Sequence, residues 1–203
     1  MPFYILVSGV SRAGKSYFCD ALSEARPQFT HVPLDKYIKP VPPGFSLSEW
    51  FFTPACIDWD LLQTHLDILQ SGSACYTPQG DWNDRGRRLS AGGPAGTGQG
   101  RLMRPAETAY LLPGNHAFYL PVRRAETFRV FVDTPEAEVA RRMLGAGADG
   151  RALAEKIDKD LARKRPAALY RRALADFVLN GTLPPAEQAD RFLTAFRRHF
   201  SLP

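Results

Sequence analysis

Near its amino terminus the chain reads Gly9-Val10-Ser11-Arg12-Ala13-Gly14-Lys15-Ser16, which meets the spacing GxxxxGK followed by Ser or Thr at every position. Each position has a chemical task. Glycines at 9 and 14 permit backbone conformations that turn successive N–H groups toward one anion. Lys15 brings a full positive charge to the outer phosphates of a nucleotide, and a helix starting there adds the positive end of its dipole. The Ser16 hydroxyl is a suitable ligand for Mg²⁺. With Tyr17 next in line, residues 9–17 form a continuous candidate run for contact with ATP.

Such a loop works only between a strand and a helix, and the flanking residues supply both. Phe3 to Val7 is an unbroken apolar run, as expected of a central parallel strand covered on both faces. From about Lys15 to Ala25, Phe18, Leu22 and Ala25 recur at helical spacing. Further strands are expected over Phe29 to Leu34, Ala109 to Leu112, Phe128 to Val132 and Phe177 to Leu179. Helices are expected over Asp58 to Gln70, from Pro135 to a glycine break at 145–150, over about Ala152 to Leu174, and over Ala186 to Phe200. Residues 79–106, rich in glycine and arginine, read as a mobile loop. The alternation defines an α/β fold of P-loop NTPase type: about five parallel strands, helices on both faces and a small helical lid near 141–165. All 203 residues fit one domain.

Composition narrows the classes. At 44% hydrophobic and 23% charged, the chain is neither disordered nor a coiled-coil rod. No segment reaches the roughly 20 continuous apolar residues of a membrane span. Three widely spaced cysteines without a CxxC fit reduced thiols in the cytoplasm. The net charge of +5 arrives without a nucleic-acid-binding signature, so a small anionic ligand is the expected partner. An Asn- or Thr-Lys-x-Asp tetrad, which a GTPase needs to read its base, is absent: neither Asn115 nor Asn180 is followed by lysine. That leaves small-molecule kinases as the favoured P-loop class. A hydroxyl attacking a γ-phosphate benefits from a carboxylate that orients it or takes its proton. Asp35 ends an expected strand on the edge where open α/β sheets bind ligands. Asp58 stands at a helix start, where capping competes with a binding role. Arg141 and Arg142 are lid candidates, whereas Arg163, Lys164 and Arg165 read as a surface run.

Taken in order, these pieces resemble the uridine kinase and nicotinamide riboside kinase branch of the P-loop kinases. The resemblance rests on Val7 to Ser16, Leu34-Asp35-Lys36-Tyr37, the segment Phe52 to Leu62, Tyr76, Val130 to Asp133 with Arg141-Arg142 beyond it, and Ala175 to Gly181. It implies ATP and Mg²⁺ as cofactors, Asp35 as catalytic residue, and Tyr37, Asp58 and Tyr76 around the acceptor. It also implies Asn180 and Gly181 against the adenine, and Lys15, Arg141 and Arg142 around the transferring phosphate. Two departures stand out. After the third strand the family's acidic residue is replaced by Leu112-Pro113-Gly114-Asn115, and Phe52-Thr53 stands where Phe-Asp holds a ribose diol. The first leaves Mg²⁺ without the family's usual carboxylate, so that Asp35 or water must substitute, and the second points away from an ordinary nucleoside acceptor. The expectation is an ATP-dependent transfer to a hydroxyl of a small, nucleoside-like molecule. Two alternatives are a nucleotide-binding module without efficient chemistry, and a nucleoside monophosphate kinase using Arg85, Arg87 and Arg88. A homodimer is compatible with the chain.

Overall fold

The computed structural model describes residues 2–78, 100–144 and 151–202, apart from the side chains of 151–160. Five parallel strands form one sheet in the order β2-β5-β1-β6-β7, where β1 is Phe3–Ser8, β2 Phe29–His31, β5 Ala109–Pro113, β6 Thr127–Asp133 and β7 Phe177–Asn180. The helices are α1 (Lys15–Ala25), α2 (Leu47–Trp50), α3 (Trp59–Gln70), α4 (Glu136–Leu144), α5 (Arg151–Ala173) and α6 (Pro185–His199). The α/β architecture expected from the alternation of elements is therefore present.

The apolar run of β1 is explained by its central place, with β5 on one side and β6 on the other. Its side chains alternate between two cores. Tyr4 and Leu6 face a layer with Leu62, Leu66 and Leu69 of α3, whereas Ile5 and Val7 face Phe18 and Leu22 of α1 with Phe192 and Phe196 of α6. The chain reverses its direction of travel across the sheet at β1. The carboxyl ends of β1 and its neighbours thus flank a topological switch point, where loops can diverge around a ligand.

Three local outcomes differ from the sequence reading. Expected to reach Leu34, β2 stops at His31, because Pro33 has no ladder donor and Leu34–Tyr37 winds into a 3-10 turn. Helix α2, which the sequence reading did not include, is held by a capping box between Ser46 and Glu49. Within the segment read as a mobile loop, Leu102–Met103 forms β4 and pairs antiparallel with β3, Cys75–Tyr76. Residues 79–99 of that segment lie outside the described residues, as does the glycine break at 145–150.

Candidate functional site

The first loop after β1 turns on Gly9, whose φ of 152° favours glycine. A Cβ there would lie 2.7 Å from the Val132 carbonyl oxygen, so β6 presses directly on the loop. Within the loop the Ala13 N–H donates to the Val10 carbonyl at 3.2 Å. Ser11 and Gly14 line the turn, Arg12 adopts φ 64°, and Ser16 and Tyr17 are exposed at the start of α1. The Lys15 ammonium folds back over the loop. It donates to the carbonyls of Gly9 (3.0 Å) and Val10 (2.8 Å) and to Asn115 Oδ1 (3.1 Å). Burial and then the nearby Arg171 guanidinium push its pKa down to about 8, while Asp35 acts in the opposite direction. A cation satisfied only by neutral oxygens and flanked by a second cation lacks negative charge. That donor set fits the phosphates of a nucleotide.

Arg142 clasps the loop from α4. Its Nε donates to Glu138 (2.7 Å), Nη1 to the carbonyls of Arg12 and Ala13 (both 3.2 Å), and Nη2 to the Gly181 carbonyl (3.0 Å). Gly181 follows β7 and packs so tightly that a Cβ would lie 2.0 Å from Thr134 Oγ1 and 2.6 Å from the Ala13 carbonyl. Thr134 itself donates to that carbonyl at 2.8 Å. The β7 loop, α4 and the phosphate loop thus form one bonded unit. Neighbouring Asn180 turns its side chain back on Thr182, accepting from its N–H and hydroxyl at 2.9 and 2.7 Å. Arg141 points away from this unit, 74% exposed, and makes a bidentate pair with Glu138 at 2.6 and 2.8 Å. Hydrogen bonds from Arg141 and Arg142 hold the Glu138 carboxyl down at about 2.

The remaining expected residues divide. Asp35 is exposed on the 3-10 turn after β2, close enough to Lys15 for its charge to be felt. Asp58 caps α3, accepting from the Leu61 N–H at 3.1 Å. Tyr37 lies in the core, its hydroxyl 2.8 Å from His65 Nδ1 and its pKa raised by burial, so that hydroxyl is engaged inside the protein. Tyr76 is half-buried in β3. Arg85 is outside the described residues. Among the described residues no three His, Cys, Asp or Glu side chains converge as a metal cluster. Ser16 is exposed at the head of α1 and Asp35 on the turn after β2, and each offers an oxygen of the kind Mg²⁺ takes.

Two further groups at this edge were not singled out from the sequence. His116, directly after Asn115 beyond β5, is buried, as is Arg171 of α5. For Arg171 the available signal was its offset from Leu161 and Ala168, ten and three residues away along one helical face, all buried.

The chain matches no protein-family model and no curated protein sequence. Its shape does have relatives. A Thermus thermophilus protein designated TT1252 superposes with a TM-score of 0.56 at 15% identity, over 97% of each chain. A gluconokinase from Sinorhizobium meliloti gives 0.51 at 15% identity, over 98% of this chain and 94% of that one. A sugar kinase from Janibacter sp. gives 0.50 at 13% identity, over 99% and 98%. Together with the geometry of residues 9–16, these likenesses define the chain as having the P-loop kinase-like fold. No helix among the described residues is long and apolar enough to cross a membrane.

Proposed function

We propose that the protein is an ATP-dependent phosphotransferase that passes the γ-phosphate to a hydroxyl of a small molecule, with Mg²⁺. The observation that carries this reading is the state of Lys15: a cation at the head of the loop, bonded to three neutral oxygens, with the Asp35 carboxylate nearby. When phosphate arrives, Lys15 exchanges weak acceptors for a charged one. The loop N–H groups and Ser16 then position the nucleotide. Asp35 orients the acceptor hydroxyl. As the new oxygen–phosphorus bond forms, the bridging bond to ADP breaks and the hydroxyl proton passes to the Asp35 carboxylate. Arg142 keeps the loop in shape through backbone carbonyls, and helices α4 and α5 act as the lid that shields the reaction from water. The resemblance to the uridine kinase branch favours a nucleoside-like acceptor.

A second reading has its own observation. Asn115, rather than a carboxylate, meets Lys15 at the end of β5, which suits a module that binds nucleotide without efficient transfer. One experiment separates the two. Protein, ATP and Mg²⁺ are incubated with a panel of hydroxylated and phosphorylated acceptors, and products are followed by mass spectrometry. A phosphorylated acceptor formed with ADP supports the phosphotransferase. Tight ATP binding with no acceptor modified supports the binding module, and transfer to an acceptor's phosphate identifies a monophosphate kinase.

A further inference from the structure

Arg171 is the most conspicuous polar group that the loop chemistry leaves unused. Its residue is only 9% exposed and its Nε is shut off from solvent without a hydrogen-bond partner. No carboxylate pairs with it among the described residues, whereas the adjacent Arg172 turns outward and bonds Asp133 at 2.9 Å. An arginine cannot shed its proton, so a buried, unpaired guanidinium is costly and awaits an anion. Burial depresses its basicity, and its charge is felt by both Lys15 and His116. The adjacent Arg172 bonds Asp133 at the end of β6, and His116 follows Asn115, which bonds Lys15 beyond the end of β5, so Arg171 and His116 both stand at the carboxyl edge of the sheet beside the phosphate loop.

His116 supplies the complement. Its Nε2 lies 2.9 Å from the Phe51 carbonyl, which can only accept, so Nε2 carries the ring proton. In the neutral ring Nδ1 is then a bare acceptor, and it too is buried without a partner. Burial, with Arg171 adding to it, keeps this ring neutral. The Tyr119 ring stands 6.0 Å from the imidazole and is half-exposed, so this side of His116 borders solvent-facing chain. One group lacks an anion and its neighbour lacks a hydroxyl donor.

We propose that Arg171 and His116 form an acceptor subsite, Arg171 binding an anionic group and His116 Nδ1 accepting from a hydroxyl, so that the acceptor is a hydroxylated anion bearing a carboxylate or a phosphate. This rests on the phosphotransferase reading and narrows its substrate class. Arg142 already serves the loop backbone and Lys15 serves the nucleotide, which leaves Arg171 for the second ligand. Its planar fork suits two-point recognition of either anion.

The test uses the full chain saturated with Mg²⁺ and a non-hydrolysable ATP analogue, so that added anions cannot occupy the phosphate loop. Binding of matched pairs is measured by calorimetry: glycerate against glycerol for the carboxylate arm, ribose 5-phosphate against ribose for the phosphate arm. At least one anion is expected to bind about a hundredfold more tightly than its neutral partner, and the arm that responds identifies the anion. Arg171→Met should abolish that preference while ATP affinity stays within about threefold. His116→Gln, whose amide can still reach the Phe51 carbonyl, should weaken anion binding about five- to tenfold, the effect of one hydrogen bond. Removing an uncompensated buried charge should leave the thermal midpoint of Arg171→Met equal to or above that of the parent; a midpoint that falls would mark Arg171 as structural and overturn the subsite. Equal binding of neutral and anionic partners, or no binding of any anion at 10-fold excess over the protein at millimolar concentration, would overturn it too. Turnover with ATP separates the readings: anion binding without transfer retains the subsite and removes the phosphotransferase. Transfer to neutral acceptors with kcat lowered equally in Arg171→Met makes Arg171 a clamp on the γ-phosphate, retaining the enzyme and removing the subsite.

Discussion

Two regions along the carboxyl edge of the sheet are built on opposite principles. At the nucleotide end the loop bonds to itself: Lys15 holds the carbonyls of Gly9 and Val10, Arg142 holds those of Arg12, Ala13 and Gly181, and Thr134 also reaches Ala13. At the proposed acceptor end Arg171 and His116 keep buried polar atoms without partners. A loop that must hold its shape before its ligand arrives gains from internal bonds, since preorganisation lowers the cost of binding. Groups that select a second substrate cannot be spent in this way, because a satisfied guanidinium has little left for a ligand. The first design is common to many nucleotide-binding loops; the second differs from one acceptor to another.

The sharpest way to break the comparison is at Lys15. Lys15→Ala should lower phosphoryl transfer by about a hundredfold or more, the scale of a positioned charge acting on the transition state. Its fold should persist, with stability within about 1 kcal/mol of the parent, as followed by circular dichroism during thermal unfolding. Wild-type turnover in this variant would remove the nucleotide end from the chemistry.

Next in size is Asp35→Asn. If the carboxylate orients the acceptor hydroxyl, kcat should fall about a hundredfold, the scale of general-base effects, while ATP affinity stays within severalfold. Steady-state turnover across an Mg²⁺ titration separates its two expected roles. Recovery of rate at high Mg²⁺ points to metal binding, whereas a fall that Mg²⁺ does not mend points to the hydroxyl.

A pH series tests whether the nucleotide end lacks negative charge. The folded pKa of Lys15, about 8, lies below its ordinary 10.5. Between those values the free folded protein has released a proton that the unfolded chain still holds, so the group works against folding below pH 8 and this penalty is relieved as pH rises toward 10.5. A bound phosphate favours the charged lysine and restores the proton. Nucleotide affinity should therefore fall about tenfold per pH unit above 8, a shift of one unit being about 1.4 kcal/mol. Calorimetry in buffers of different ionisation enthalpy should show proton uptake on binding over the same window. Affinity that is flat from pH 7 to 10 would mean that Lys15 is not depleted of negative charge.

The same contrast governs what the sequence revealed. Residues 9–16 are contiguous, each with its task in a fixed order, and α1 begins and ends where its spacing indicates, at Lys15 and Ala25. The proposed acceptor end draws on Asp35, His116 and Arg171, from three distant segments, and only folding brings them to one edge. Arg171 was hidden by its setting: next to Arg172 in an arginine-rich helix, it reads as one more solvated charge until its burial is seen. Tyr37 shows the converse, since an aromatic two residues from Asp35 suits a pocket wall yet completes the core with His65. The ribbon of Cys75–Tyr76 with Leu102–Met103 escaped notice because two-residue strands are too short to display a period.

The smallest effect, at Asp58, decides where the acceptor end stops. Its carboxylate receives the Leu61 N–H at 3.1 Å, which accounts for its presence as the cap of α3. Asparagine caps as well as aspartate but carries no charge, and alanine does neither. If capping is its task, Asp58→Asn should be nearly silent in both stability and turnover, and Asp58→Ala should lose about 1 kcal/mol of stability with kcat/KM within about twofold. If Asp58 instead binds the acceptor, Asp58→Asn should raise KM about tenfold or more with stability unchanged, since a hydrogen bond to a charged group contributes about 1.5–3 kcal/mol. The two variants thus separate fold from function at one atom. A cap-only result confines recognition to the edge formed by Asp35, His116 and Arg171. An acceptor loss in Asp58→Asn would extend that pocket to the head of α3, and would set a negative charge facing the anion that Arg171 is proposed to hold; the ligand would then have to present its hydroxyls to Asp58 and its anionic group to Arg171.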